Sequence, residues 1–194
     1  MLGDLTEFQP ITERYDDGFT YDKNLGNIWT SQPKENRYPQ NTHYLHGSLF
    51  INDDNGMIFK TKYNQNEEER ILPQLEKQLM DGKNPLIVLE GTSETKRQKI
   101  DSNGYLTHCL DSLKKIDGCL FTFGFSFNKY SDQHITDAIQ KSQVKAIYLG
   151  YYSDLDKKHF GEYVASNLTH KSSIDRNIFL FDVREATNWG SGQG

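Results

Sequence analysis

Pro85-Leu86-Ile87-Val88-Leu89-Glu90-Gly91-Thr92-Ser93-Glu94-Thr95-Lys96 opens the stretch whose reading decides the fold. Residues 86–89 are wholly apolar and bounded by turn residues, the pattern of a strand buried on both faces. Working towards the C-terminus, a rhythm follows. Residues 105–116 carry Tyr105, Leu106, Cys109, Leu110 and Leu113 on one helical stripe. Leu120-Phe121-Thr122-Phe123 is a second apolar run, and residues 132–141 predict a helix with Ile135, Ala138 and Ile139 inward. Ala146-Ile147-Tyr148-Leu149 is a third strand, residues 154–167 a further helix, and residues 178–183 a fourth strand. Strands alternating with helices predict an α/β fold with a mostly parallel sheet and flanking helices.

Towards the N-terminus the pattern changes. Residues 44–51 and 57–62 read as two strands of an added β-hairpin, joined by Asn52-Asp53-Asp54-Asn55-Gly56. A helix over 73–80 follows, with Pro73 in its first turn and Gly82 after its end. Residues 1–42 are rich in Asp, Asn, Gln, Pro and Gly and hold scattered aromatics, so they predict an irregular segment that wraps over another surface. The expected organisation is this segment, an α/β domain over 43–187, and a flexible tail over 188–194.

Composition excludes several classes. The net charge of −5 offers no basic face for nucleic acid. No stretch is long and apolar enough to span a bilayer, and the acidic start MLGDLTEFQP is no signal peptide. Cys109 and Cys119 form no C-x-x-C pair, so neither a zinc site nor a disulfide framework is expected. They read as small buried hydrophobes in a reducing, cytoplasmic setting.

Four segments could carry chemistry. In Tyr44-Leu45-His46-Gly47-Ser48, His46 lies in an apolar strand and could act as a general base, although a satisfied histidine beside a bend at Gly47 is the stronger reading. His43, three positions earlier, falls on the opposite face, so the two make no metal pair. In Glu90-Gly91-Thr92-Ser93-Glu94-Thr95-Lys96, a helix start beside a lysine could hold a phosphate, or could be a plain capped helix. In Gly124-Phe125-Ser126-Phe127, leading to Asp132 and His134, small residues follow a strand end where open α/β sheets bind ligands. Asp132 reads equally as an N-cap, and His134 as an exposed residue of a first helical turn. Gly150, before Tyr151 and Tyr152, suits contact with a ribose or ring, or simply starts a loop. No Walker loop, HExxH or dinucleotide glycine motif is present.

In this order, Asp17-Gly18-Phe19, Tyr44 to Ser48, Pro85 to Lys96, Gly124 to Phe127 with Asp132-Gln133-His134-Ile135, and Ile147-Tyr148-Leu149-Gly150 resemble a bacterial sirtuin-like family of unknown function. The resemblance implies a Rossmann-like sheet that holds NAD and cleaves its nicotinamide–ribose bond, in bacterial relatives often as a defence against phage. It implies His46 as catalytic base, with Gly47, Ser48, Gly91, Ser93, Gly124, Ser126, Asp132 and Gly150 around the dinucleotide, and no metal. It further implies truncation at the N-terminus, because the Gly-Ala-Gly-x-Ser loop and the Asn-x-Asp segment of sirtuins are absent. An exposed edge would then be covered by residues 1–42, by a homo-oligomer or by a partner chain. The competing expectations are a nucleotide-binding module without chemistry and an inert interaction module. The whole nucleotide reading of these segments hangs on His46 and Gly124–Ser126 converging on one cleft at the ends of neighbouring parallel strands.

Overall fold

The computed structural model describes residues 16–30, 40–61, 71–170 and 174–186. The chain forms two compact units. The first comprises residues up to Val88 together with Asn103–His108, and the second comprises Leu89–Ser102 and the chain from Cys109 onward.

The first unit is built on a five-stranded antiparallel sheet in the order β1-β2-β4-β3-β5. Its strands are β1 (Phe19–Asp22), β2 (Gly26–Trp29), β3 (Gly47–Asp54), β4 (Met57–Lys60) and β5 (Pro85–Ile87), with helix α1 (Ile71–Met80) before β5. The predicted hairpin is β3–β4, closed at Asn55-Gly56, where both residues have positive φ. Phe19, Ile51, Ile58, Val88, Tyr105 and Leu106 are buried. Tyr105 meets Phe19 at 5.5 Å and Trp29 edge-on at 5.2 Å, so three rings make the centre of this core. Asp17 and Lys60 form an ion pair beside them.

The second unit carries a three-stranded parallel sheet, β6 (Asp117–Thr122), β7 (Gln143–Tyr151) and β8 (Asn177–Asp182), in chain order. Its helices are α2 (Ser93–Asp101), α4 (Lys129–Lys141), α5 (Asp154–His159), α6 (Ala165–His170) and the short α7 (Val183–Ala186). Helix α3 (Gly104–Leu113) passes from the first unit into the second between His108 and Cys109. Between α5 and α6 the chain widens into a π-helical turn over Phe160–Val164. Ile135, Ala138 and Ile139 of α4, Phe160, Val164 and Leu168 are buried, as are Val144, Ile147 and Leu149 of β7. Arg176, itself buried, donates to the carbonyls of Gln140, Ser142, Val144 and Leu168. It thereby supplies acceptors' partners at the end of α4, the start of β7 and α6 together.

The expectation of one mostly parallel Rossmann-like sheet is overturned. Only β6, β7 and β8 are parallel, and the larger sheet is antiparallel throughout. The error lies at residues 86–89. Leu86 and Ile87 lie in β5, which pairs antiparallel with β3 and has no fully buried residue, while Val88 after it is buried and Leu89 is exposed. An apolar run of four reports burial and carries no information on the direction of its neighbour. The pairing depends instead on Gly47, which has φ +71° and at which a Cβ would lie 1.9 Å from the Leu86 carbonyl oxygen. Two strands also arise in the segment expected to be irregular, β1 and β2. Residues 1–15, 31–39 and 187–194, including the tail, lie outside the described residues.

Candidate functional site

His46 sits in the turn before β3 rather than within a strand. Its carbonyl accepts from Val88 N–H at 2.9 Å, and Gly47 N–H returns to Tyr44 O at 2.9 Å. With Gly47 and Ser48 it opens a strand whose neighbours, β4 and β5, are both antiparallel. His46 therefore does not stand at the carboxyl end of a parallel strand, and it belongs to the first unit while Gly124–Ser126 belong to the second. Gly47 is accounted for by the close approach of β5.

The remaining sequence-derived residues, Gly91, Ser93, Gly124, Ser126, Asp132 and Gly150, all belong to the second unit. Ser93 and Asp132 are brought together by the facing helices α2 and α4. Ser93 Oγ lies 2.9 Å from His134 Nδ1 and accepts from the His134 backbone N–H at 2.8 Å. One turn on, Lys96 Nζ donates to Asp132 Oδ1 at 3.1 Å, and Ser131 Oγ donates to Oδ2. Lys96 and His134 are buried. Thr92, not Ser93, is the N-cap of α2, and Asn128 is the N-cap of α4. Asp132 instead occupies a non-helical position inside α4, at φ −132° and ψ 15°. These four side chains lock two helices together. Gly150 is buried in β7, where a Cβ would lie 2.6 Å from Thr122 O and 2.7 Å from the Val183 side chain. Its smallness serves packing.

The loop from β6 to α4 is different in kind. Phe127 adopts φ +52°, a left-handed conformation that is costly for a bulky residue. Its ring is buried against Phe125 at 4.6 Å and Phe160 at 5.9 Å, which holds the loop in place. Ser126, between the two rings, is left facing solvent. Beside it opens a groove of about 850 Å³ at the carboxyl ends of β6 and β7. One wall is Ser126, Asn128, Lys129 and Tyr130; the other is Leu155, Asp156, His159 and Tyr163. The spacing of four along α5 and the π-helical turn aligns Leu155, His159 and Tyr163 on one face, and the last two rings stack at 5.4 Å. π-Helical turns recur at functional sites.

Two of the polar groups in these walls are already committed. Asn128 Oδ1 accepts from Tyr130 N–H and Ser131 N–H. Asp156 closes a capping box with Ser153, and that hydrogen bond holds its carboxyl below the usual range. What the groove presents to a ligand is the Ser126 hydroxyl, the Lys129 ammonium, the Tyr130 phenol and the His159–Tyr163 stack. Sequence reasoning found Ser126 but missed Lys129, Tyr130, His159 and Tyr163. The recoverable signal was position: the segments after β6 and β7 leave the carboxyl edge of a parallel sheet. Among the described residues no group of three or more His, Cys, Asp or Glu could hold a metal ion. Nor is any of their helices long and apolar enough to cross a membrane.

A small parallel sheet with a groove at its carboxyl edge in one unit and an antiparallel sheet in the other define a mixed α/β protein. No curated protein and no solved structure matches it. One family model matches residues 3–189, and the chain belongs to that family, Domain of unknown function (DUF4917).

Proposed function

We propose that the second unit is a nucleotide-binding module, with NAD as the ligand class to which the sirtuin-like segments point. The observation that carries the reading is the groove at the carboxyl ends of β6 and β7, walled by Lys129 and by the stacked His159 and Tyr163. That is the edge where parallel α/β sheets accept ligands. A flat pair of rings suits a base, and an exposed ammonium suits a phosphate. Binding without turnover is favoured over cleavage of the nicotinamide–ribose bond, because the proposed base, His46, opens an antiparallel strand. A reducing, cytoplasmic setting completes the proposal: no disulfide links Cys109 and Cys119, of which Cys109 is buried as expected and Cys119 is exposed.

Thermal unfolding of the full chain titrated with NAD, ADP-ribose and ATP tests the reading. Saturable stabilisation is expected, lost in Lys129→Ala and in the double variant His159→Ala/Tyr163→Ala. Free nicotinamide is measured in the same samples, and none is expected above a no-protein control. Absence of stabilisation by all three ligands at millimolar concentration overturns the proposal. Nicotinamide release that vanishes in His46→Ala would replace the binding module with an enzyme.

A further inference from the structure

One face of the parallel sheet is an aromatic plateau. Strand register sets Phe121, Tyr148 and Phe179 in one row across β6, β7 and β8. Their rings stack face to face, at 4.4 Å and 8° for Phe121–Tyr148 and at 4.8 Å and 18° for Tyr148–Phe179. Two residues further along, Phe123 and Phe181 meet edge-on at 5.2 Å. Gly150 lies between them in the register, and a Cβ there would lie 2.8 Å from the Phe181 ring. The glycine lets the two outer rings close over β7. The row before holds Cys119, Ala146 and Asn177. None of these three rows carries a charged side chain.

This face is open to solvent. Phe121, Phe123 and Phe179 are 56%, 57% and 45% exposed. At about 200 Å² per ring side chain, these three alone offer roughly 300 Å² of apolar surface. A standard interface buries ~800 Å² per partner, of which somewhat over half is apolar. With Tyr148, Phe181, Cys119 and Ala146 added, the plateau approaches that requirement. Its pattern also repeats about β7: Phe121 answers Phe179, and Phe123 answers Phe181. A two-fold axis running along β7 would set Phe121 of one copy on Phe179 of the other, and Phe123 on Phe181. An isologous interface demands that kind of self-matching surface.

We propose that the aromatic face of β6–β7–β8 is a homodimer interface, in which two copies of this chain pack sheet to sheet about an axis parallel to β7. The interface does not depend on the nucleotide reading. Sheets packed in this way lie about 10 Å apart, and Cys119 of one copy falls opposite Asn177 of the other.

Two measurements on the full chain, without ligand, test the proposal. Sedimentation velocity across a concentration series is expected to show a dimer. In Phe121→Ser/Phe179→Ser its dissociation constant is expected to rise about 30-fold or more, as for loss of central aromatic anchors. Circular dichroism of that variant reports whether it folds. The second arm leaves every ring intact. Ala146→Cys/Cys119→Ser, whose introduced thiol lies on the central strand and falls opposite its own counterpart across the axis, is treated with a bis-maleimide of about 10 Å reach, matching the sheet spacing; a covalent dimer is expected, with the buried Cys109 unreactive. A monomer at every concentration overturns the proposal. So does a dimer that the serine variant leaves unchanged, or a failure to cross-link while the thiol introduced at position 146 still reacts with a monofunctional maleimide.

Discussion

Ser93 and His134, 41 residues apart, are joined twice: the serine oxygen accepts the histidine's backbone N–H and lies 2.9 Å from its Nδ1. The one oxygen therefore engages both the backbone and the ring of His134. The serine thus ties the start of α2 to the second turn of α4, and its placement fits a lock better than a nucleophile. Ser93→Ala removes both contacts from a histidine that is only 3% exposed. A loss of about 1–3 kcal/mol is expected, read as a lowered denaturant midpoint with unchanged slope. Unchanged stability would remove the lock.

The neighbouring contact obeys different arithmetic. Lys96 is 7% exposed and its ammonium donates to Asp132. Burying a charge is tolerated only while it stays paired. Asp132→Ala strands the ammonium and is expected to cost about 3–5 kcal/mol, whereas Lys96→Met/Asp132→Leu is expected to cost less than the single change. Equilibrium denaturation of the two single variants and the double variant decides this. A double variant as unstable as the sum of the singles would sink the account.

The residues of the second unit were the more legible ones, for a physical reason. Residues 120–123, 146–149 and 178–183 are largely apolar runs bounded by turns and separated by helical stripes, and all but Phe123 and Val183 among them lie in strands of the parallel sheet. The same kind of run at 86–89 paired antiparallel, because direction is fixed by β3 and by the backbone contact at Gly47, 39 residues upstream of Leu86. β1 and β2 carried no apolar run at all; they are short, and only Phe19 among their residues is buried. His134 was expected to be exposed because nothing near it in sequence reveals Ser93. Ser126 was legible through its place after a strand, but the groove's far wall depends on a π-helical turn that no local pattern announced.

Arg176 is expected to be among the least replaceable residues of the second unit. Its guanidinium reaches four carbonyls that belong to α4, β7, α6 and the turn between α4 and β7. Lysine keeps the charge but lacks the planar fork that spans them. Arg176→Lys is expected to lose about 2–4 kcal/mol through buried acceptors left without donors. Hydrogen exchange should rise first at the C-terminal turn of α4 and the start of β7. A uniform rise across the second unit, with no excess there, would contradict the assignment.

Acid sensitivity is expected to arise in the first unit at His43. Burial lowers its pKa below the ordinary 6.5, and the neighbouring His108 lowers it further, outweighing the hydrogen bond with the Gln40 backbone. The rings of His43 and His108 lie 5.8 Å apart, and that of His108 also lies 5.3 Å from Trp29. For a base whose pKa is lower in the folded state, the unfolded chain takes the proton first. Stability is therefore complete above pH 6.5 and falls as pH drops from there towards the folded value, below which this contribution is constant. The slope per site cannot exceed about 1.4 kcal/mol per pH unit. Denaturant unfolding of the wild type and His43→Gln at pH 7.5, 6.5 and 5.5 (about one unit either side of the histidine's reference pKa) measures it. The variant is expected to lose less stability across that window, and parallel losses in the two proteins would place the acid sensitivity elsewhere.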